Sequence, residues 1–266
     1  MPNYLCPICN QALTQHERLF KCEKNHTFDL AKEGYVNLLP VQFKRSKEPG
    51  DNKAMVNARR SFLSKGYYSP LANKIVELMN AFHPNANTIL DAGCGEGYYT
   101  HQHKTAQNSV YGIDIAKEAI KKAAKIYDEC YFSVGTLSKL PFESCSIDWL
   151  YSIYAPILEQ EFNRVLDTGG FLLTVTPAAN HLFELKTLIY DNAVQHDESR
   201  TPITQLALVH EERLAYNMSL VTGQDTLELL SMTPFAFKAS EQVKKTLAES
   251  KNFQCQADFL MRLYQK

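Results

Sequence analysis

From Thr88 onward, short apolar runs alternate with stretches of helical spacing, and this alternation limits the fold more than any other feature of the chain. Strands separated by helices in this way form a mostly parallel sheet that is covered on both faces. The predicted fold class is therefore α/β, with a Rossmann-like sheet. The runs that predict its strands are Thr88–Asp91, Ser109–Asp114, Cys130–Val134, Ser146–Ile153 and Phe171–Pro177.

The helical stretches have less distinct ends than the strands. The clearest helix covers Ala116–Tyr127 and carries its apolar residues on one face. After the fifth strand, the pattern predicts a helix over His181–Tyr190, strand-like segments near 206–220 and 253–264, and between them a helix that begins at Gln224. The region from about 180 to 250 either forms a subunit interface or shapes a substrate pocket.

A glycine-rich loop follows the first predicted strand. Asp91 ends the strand, and Gly93, Gly95 and Gly97 follow at alternate positions in "ILDAGCGEGYYT". Glycines there let the chain turn sharply and let a ligand approach the main chain. Rossmann dehydrogenases also carry glycines at this point, but the spacing here differs from their G-x-G-x-x-G pattern. Asp114 ends the second strand, where its carboxylate can accept hydrogen bonds from both hydroxyls of a ribose.

Three cysteines and a histidine lie close together near the N-terminus, in "CPICNQALTQHERLFKCEKNH". Their spacing, C-x2-C-x12-C-x3-H, is typical of a structural zinc site. Four protein ligands close the coordination shell, so a catalytic zinc is not expected. Seven cysteines is an odd count, and the other cysteines are scattered singly, which argues against a disulfide framework. The predicted ligands are Cys6, Cys9, Cys22 and His26.

The length of 266 residues allows one full core and a small additional module. We predict a zinc-binding module over 1–40, a basic helical linker over 41–85 that covers the cofactor pocket, and the main domain over 86–266. In the linker, Pro49–Asp51 predicts a turn with Asp51 as the helix N-cap. The N-terminus does not resemble a signal peptide, and no apolar run reaches the ~20 residues of a membrane span. A soluble, cytoplasmic protein is expected.

Two further segments extend the glycine-loop pattern. "GTLSKLPFESCSIDWLYSIYA" and "EFNRVLDTGGFLLTVTP" are similar to the fourth- and fifth-strand regions of class I S-adenosylmethionine-dependent methyltransferases. Asp167 and Thr168 stand where that family commonly has Lys-Pro, which alters a surface turn only. The resemblance implies that S-adenosylmethionine is the cofactor. The alternative, that Asp91 and Asp114 are helix caps in a nonfunctional domain, would leave the joint occurrence of these motifs unexplained.

The whole chain resembles the bacterial 23S ribosomal RNA guanine-N1-methyltransferases. The matching segments include "NHTFDLAKEGYVNLLP", "PGDNKAMVNARRSFLSKGYYSPL", "IYAPI", "TPAANHLFELK" and "MTPFAF". The resemblance implies methyl transfer to N1 of a specific guanine in a 23S rRNA hairpin, and it implies that the zinc module recognises RNA. With the loop and ribose assignments above, the expected cofactor contacts are Tyr68, Asp91, Gly93, Gly95, Glu96, Gly97, Tyr98, Asp114 and His181.

Several of these residues also have ordinary structural explanations. Tyr68 could be a packing residue at a helix end, His181 a satisfied surface or core histidine, and Glu96 a solvated loop residue. Tyr154, which follows the fourth strand, is expected to contact the target base. It would stack on guanine or hold a proton, and the alternative is a core aromatic. Guanine N1 is protonated, so the reaction needs a base or a group that stabilises charge on O6.

The expected RNA contacts are basic and aromatic. The formal net charge is −1, so any surface for a polyanion must be local. Positive charges cluster in the linker, although such a run is often only a solvated helix face. In the zinc module, Tyr35 could stack on an unpaired base or pack beneath the zinc turn. The predicted contacts are Lys32, Tyr35, Lys44, Arg45, Arg59 and Arg60.

Three alternative functions remain at this stage. A small-molecule methyltransferase would share the glycine loop but would have no use for a zinc module. A pure RNA-binding protein would tolerate a damaged cofactor loop, whereas "DAGCGEG" is intact. A related subgroup of enzymes methylates a neighbouring guanine of the same hairpin and confers macrolide resistance. The target guanine, the choice between free RNA and an assembly intermediate, and a homodimeric state are not fixed by the sequence.

Overall fold

The computed structural model describes residues 3–40, 50–199 and 203–266. Its strands are β1 (Thr14–His16), β2 (Leu19–Lys21), β3 (Thr27–Asp29), β4 (Val36–Asn37), β5 (Thr88–Ala92), β6 (Ser109–Asp114), β7 (Tyr131–Val134), β8 (Ile147–Ile153), β9 (Leu166–Pro177), β10 (Ala207–Thr222) and β11 (Lys251–Gln265). Its α-helices are α1 (Lys53–Ser64), α2 (Ser69–Phe82), α3 (Lys117–Ile126), α4 (Glu159–Val165), α5 (Phe183–Thr187), α6 (Gly223–Ser231) and α7 (Glu241–Glu249).

The main sheet has eight strands in the order β10-β11-β9-β8-β5-β6-β7-β4. Strands β9, β8, β5, β6, β7 and β4 are mutually parallel, and β11 is antiparallel to both of its neighbours. The chain runs outward from β5 in both directions, so β5 and β8 flank a topological switch point. In sheets of this kind, ligands bind beyond the carboxyl ends of the strands at that point. The α/β fold with a mostly parallel sheet is confirmed.

Two apolar cores cover the two faces of this sheet. One contains residues of α1, α2, α3, α6 and α7 together with Ile89 and Val110. The other contains α4, residues of the zinc module, and Leu90 and Tyr111. Neighbouring residues of a strand point to opposite faces, which is why Ile89 and Leu90 belong to different cores. The zinc module therefore packs on the face opposite to α1 and α3.

The N-terminal residues are joined closely to the main sheet. The three-stranded sheet β1-β2-β3 belongs to the zinc module, whereas Val36–Asn37 pairs in parallel with β7 at the edge of the main sheet. The ring of Tyr4 packs edge-on against Tyr111, with 5.7 Å between the centroids. The last residues of the predicted module therefore form part of the large sheet.

The strand predictions are close to the observed bounds. Ser109–Asp114 is observed as predicted, and β5, β7 and β8 each differ from prediction by one residue at one end. Strand β9 begins at Leu166, five residues before the predicted start at Phe171. The segment around Asp167 and Thr168, predicted as a surface turn, instead pairs with the C-terminus. There, the Gly169 N–H donates to the Lys266 carbonyl at 3.0 Å, and the Lys266 N–H donates to the Gly170 carbonyl.

Two helix predictions are corrected. Asn52, and not Asp51, caps α1, since its side chain accepts a hydrogen bond from the Met55 N–H at 3.0 Å. The carboxylate of Asp51 is instead paired with Arg59. The helix predicted over His181–Tyr190 is shortened to Phe183–Thr187, because Leu182 has a left-handed φ of 54° that α-helical backbone excludes. Within the part of the chain that the structure describes, none of the helices is long and apolar enough to cross a membrane.

Candidate active site

A cleft of about 1250 Å³ opens at the carboxyl ends of the parallel strands. The loops after β5, β6, β7, β8 and β9 line it, and α1 forms one wall. Small-molecule pockets typically measure about 300–1000 Å³. The cleft is therefore large enough for a nucleoside cofactor and an acceptor base together. The predicted residues that line it are Tyr68, Asp91, Gly93, Gly95, Glu96, Tyr98, Asp114, Tyr154 and His181.

The glycine loop is held by Asp114. One carboxylate oxygen of Asp114 accepts from the Gly95 N–H at 2.9 Å, and the other accepts from the Ala116 N–H at 2.7 Å. Burial raises the pKa of Asp114, whereas these two main-chain N–H groups lower it. Each carboxylate oxygen can accept more than one hydrogen bond, so capacity remains for the hydroxyls of a ribose. Asp114 therefore shapes the loop and lines the cleft at the same time.

The first and third glycines have different neighbours. Gly93 has φ +88°, and a Cβ added there would lie 2.4 Å from the Ala155 Cβ, so the loops after β5 and β8 touch at this glycine. Gly97 has φ +84° and does not line the cleft. A Cβ at Gly97 would lie 3.0 Å from both Ala123 and Tyr127, at the packing surface of α3. The structure thus gives Gly97 a role in helix packing.

Two carboxylates of the loop are buried. Asp91 is 1% exposed and accepts from the Thr100 hydroxyl at 2.7 Å, and burial raises its pKa to about 7. Burial likewise raises the pKa of Glu96 to about 7, although the nearby Arg60 opposes that shift. Glu96 is 3% exposed and forms an ion pair with Arg60 at 3.2 Å. The alternative that Glu96 is a solvated loop residue is excluded by this burial.

Tyr154, His181 and Tyr68 form one aromatic group at the end of the cleft nearest β8 and β9. The Nε2 atom of His181 lies 3.2 Å from the Tyr154 hydroxyl and 3.5 Å from the Tyr68 hydroxyl. On the other side of the ring, Nδ1 accepts a hydrogen bond from the Asp258 N–H at 3.1 Å. Burial lowers the pKa of His181 to about 3, so the imidazole is neutral at physiological pH.

This contact fixes the tautomer of His181. Since Nδ1 accepts, the single proton of the neutral ring is on Nε2, which faces the two phenol oxygens. The Tyr154 oxygen then accepts a hydrogen bond from Nε2–H. The O–H of Tyr154 is therefore able to donate a hydrogen bond to another group. Tyr154 is 44% exposed and has a left-handed φ of 56°, a strained conformation for a bulky residue. It is therefore not a core aromatic.

The predicted metal ligands lie together. Their four ligand atoms are all within 4.8 Å of one another. The Cys9 and Cys22 sulfurs are 3.7 Å apart, and the His26 Nδ1 lies 3.5 Å from the Cys6 sulfur and 3.4 Å from the Cys22 sulfur. Tetrahedral zinc, with bonds of about 2.3 Å to sulfur and about 2.1 Å to nitrogen, requires separations of about 3.8 and about 3.6 Å. The four side chains fit one structural zinc ion.

The predicted RNA contacts have different environments. Lys32 is exposed. Tyr35 is only 6% exposed in the core that contains α1 and α3, so its ring is not available for stacking, and the expectation of a stacked base is corrected. Arg59 and Arg60 are paired with Asp51 and Glu96 at the cleft. Lys44 and Arg45 lie outside the described residues.

Sequence reasoning missed part of the cleft lining. Asp51, Tyr99 and His196 line it, as do the residues from Met232 to Phe235. In the sequence, Asp51 is interpreted as a helix cap, and no local pattern singles out Tyr99. The segment "MTPFAF" contributed only to the family resemblance. It reaches the cleft because α6 packs on α1, a tertiary contact that has no local signal.

Asp114→Ala is expected to weaken binding of S-adenosylmethionine roughly 10- to 100-fold. The change removes the proposed ribose acceptor and the anchor of the Gly95 N–H, and each charged hydrogen bond contributes about 1.5–3 kcal/mol. Isothermal titration calorimetry measures the change, and circular dichroism checks the fold. Asp128→Ala, at an exposed carboxylate, is the matched control. Unchanged affinity of the Asp114 variant would eliminate the ribose assignment.

Comparison with protein families identifies both parts of the chain. Residues 4–47 match the zinc-ribbon family described as "RlmA, N-terminal". Residues 83–249 match a family described as "Methyltransferase domain". The first match contains the cysteine and histidine cluster, and the second contains the glycine loop and Asp114. The chain is therefore an S-adenosylmethionine-dependent methyltransferase with a zinc ribbon.

Individual relatives and a solved structure are similar to much of this chain. YxjB of Bacillus subtilis, whose name assigns it provisionally as a 23S rRNA (guanine-N(1)-)-methyltransferase, is 31% identical over 269 residues that cover 94% of this chain and 92% of YxjB. The 23S rRNA (guanine(748)-N(1))-methyltransferase of Streptomyces fradiae is 32% identical over 68% of this chain and 65% of its own length. The solved structure of YcgJ from Bacillus subtilis aligns over 72% of this chain and 97% of YcgJ, with a TM-score of 0.48 and 20% identity. Given the similarity to YxjB along nearly the whole chain, this protein belongs to the bacterial family of 23S rRNA (guanine-N1)-methyltransferases.

Proposed function

We propose that this protein transfers the methyl group of S-adenosylmethionine to N1 of one specific guanine in a hairpin loop of 23S rRNA. The observation that carries the proposal is the cleft itself. It combines a nucleoside-binding end at Asp114 with a strained, exposed Tyr154 whose hydroxyl is held by His181. Family membership narrows the acceptor to guanine N1, and the size of the cleft accommodates a flipped base beside the cofactor.

The chemistry requires a nucleophilic N1. Methyl transfer is an in-line displacement, in which the N1–CH3 bond forms as the S–CH3 bond breaks and the thioether leaves. The N1 proton passes to solvent water before the nitrogen attacks, and the negative charge of the resulting guanine anion is shared with O6. We assign the Tyr154 hydroxyl as the hydrogen-bond donor to O6, because the tautomer of His181 leaves the phenol proton free. S-adenosylmethionine supplies the methyl group, and the protein supplies position, charge stabilisation and exclusion of water.

The zinc ribbon is proposed to recognise the RNA outside the cleft. It is formed by 1–40, followed by the linker over 41–85 and the methyltransferase domain over 86–266. Lys32 is exposed on this module, and the basic residues Lys44 and Arg45 follow in the chain. Lysine and arginine contacts to phosphate would make RNA affinity fall steeply with salt. With this substrate the protein would act in the cytoplasm, as a monomer or a homodimer.

Direct mapping of the product tests the proposal. The purified protein is incubated with labelled S-adenosylmethionine and 23S rRNA that lacks native modifications, and nuclease fragments are analysed by mass spectrometry. The expected result is label on N1 of a single guanine, whose position also decides between the two related subgroups. Parallel reactions contain ribosomal assembly intermediates or small-molecule acceptors. Transfer to a small molecule, with none to rRNA in either form, would contradict the proposal.

A further inference from the structure

Among the Asp, Glu, Lys and Arg side chains that line the cleft, most are carboxylic acids. Asp51, Asp91, Glu96 and Asp114 all contribute carboxylates to its wall. Among the described residues that line the cleft, Arg59 is the only lysine or arginine. A ligand that carries a negative group therefore meets one fixed cation in the cleft, and the position of that cation determines where the negative group can bind.

Arg59 lies directly over the glycine loop. Its Nη1 atom is 3.8 Å from the position that a Cβ on Gly95 would occupy. Nη1 also contacts the Asp51 carboxylate, and Nη2 donates to the Met232 carbonyl at 3.2 Å. A guanidinium has five N–H donors in a fixed planar arrangement. These two contacts hold the plane of Arg59 in place and still leave donors for a ligand.

The helix that carries Arg59 is itself anchored. The Lys65 ammonium, just after the end of α1, lies 2.6 Å from the Asp225 carboxylate and 2.5 Å from that of Glu228, both on α6. The Ser61 hydroxyl donates to Glu228 at 2.8 Å. These contacts fix α1 against α6, so Arg59 occupies a preorganised position at the wall of the cleft.

S-adenosylmethionine has one negatively charged group, the α-carboxylate of its methionine part, besides its positively charged amine and sulfonium. A cofactor whose ribose binds Asp114 would lie against Gly95 of the glycine loop and so within reach of Arg59. The geometry points to Arg59 as the residue that binds this carboxylate, with Asp51 as the residue that orients the guanidinium. The inference rests on the cofactor of the proposed function, and it gives Arg59 a role in place of the RNA contact that the sequence predicts.

Two ligands that differ only in the carboxylate test the contact between Arg59 and that group. S-adenosylhomocysteine keeps the carboxylate, whereas decarboxylated S-adenosylhomocysteine keeps the adenosine, the thioether and the amine but lacks the carboxylate. In Arg59→Gln, affinity for S-adenosylhomocysteine is expected to fall roughly 10- to 100-fold, since a charge-assisted hydrogen bond is lost. Affinity for the decarboxylated ligand is expected to change less than about twofold. Isothermal titration calorimetry measures both values, and Arg59→Lys is expected to lose less than Arg59→Gln.

The control variant is Lys74→Gln, which removes a cation from α2 whose partners are Glu77 and Glu212 and which does not line the cleft. Equal loss for both ligands in Arg59→Gln would overturn the inference, because Arg59 would then only shape the cleft. Unchanged binding of both ligands together with weaker RNA binding would overturn it in favour of a phosphate contact. The affinities for the two ligands are measured without rRNA, so a wrong assignment of the methylated nucleotide would leave the expected result intact.

Discussion

Tyr154→Phe is expected to lower kcat by about two orders of magnitude, while the affinity for S-adenosylhomocysteine stays within about twofold of wild type. The variant keeps the ring, the backbone conformation and any stacking on guanine. It removes only the hydroxyl, which lies 3.2 Å from the His181 Nε2. Loss of a preorganised donor to developing negative charge typically costs about 10²–10³ in rate. Single-turnover methylation of unmodified 23S rRNA measures the effect.

One further variant of Tyr154 separates the contribution of its hydroxyl from that of its ring, and a second variant serves as the control. Tyr154→Ala removes both, so a normal rate in Tyr154→Phe with a low rate in Tyr154→Ala would assign Tyr154 to stacking alone and refute its hydrogen bond to O6. Tyr131→Phe, in β7 and outside the cleft lining, is the matched control.

Because the pKa of His181 is about 3, its imidazole stays neutral as pH rises through the ordinary histidine range. The pH profile of kcat should therefore show no limb from this residue.

Cys22→Ala is expected to abolish zinc binding and rRNA binding and to leave cofactor affinity largely intact. A structural zinc contributes about 10–16 kcal/mol of apparent binding energy to a module too small to hold a core alone. The module packs on the face of the sheet opposite to α1 and α3, and its metal ligands do not line the cleft. Zinc content by mass spectrometry, rRNA binding by filter retention and cofactor binding by calorimetry measure the three effects.

The control for this variant is Cys145→Ala, which removes an exposed cysteine outside the metal cluster. It is expected to retain zinc and both binding activities. If Cys22→Ala lost cofactor affinity as completely as zinc, the ribbon and the methyltransferase domain would be shown to fold as one unit. The packing of Tyr4 against Tyr111 and the strand at Val36–Asn37 are the contacts through which such coupling would act.

The features that the sequence predicted well are local. The spacing of Cys6, Cys9, Cys22 and His26 is fixed by the short turns that present them, and the five residues of β6 that precede Asp114 are small, aliphatic or aromatic. The strand pattern is complete within six residues, and the metal-ligand pattern lies within the 21 residues from Cys6 to His26. The strand bounds and the metal cluster were therefore predictable without knowledge of the tertiary structure.

The features that the sequence did not reveal depend on distant partners. In the sequence, Arg60 looks like part of a basic patch, whereas in the fold its guanidinium pairs with the carboxylate of Glu96. Tyr35 reads as a stacking residue until α1 and α3 enclose it in the core. Gly97 reads as a ligand contact, but the helix α3 packs against it. For Arg60 and Gly97, a contact with a residue more than 25 positions away decides the role.

The pairing of β4 with β7 bears on which nucleotide the protein would methylate. Val36 and Asn37 pair with Ser133 and Val134, the Lys139 ammonium donates to the Pro7 carbonyl at 2.9 Å, and residues 135–138 between these points line the cleft. One short loop thus contacts the zinc module at both of its ends and lines the cleft in its middle. If the zinc ribbon binds the rRNA hairpin as proposed, the sheet would fix the distance between the bound RNA and the cleft. A hairpin bound by the ribbon would then be selected by its length, and the nucleotide at the matching distance from the ribbon would receive the methyl group.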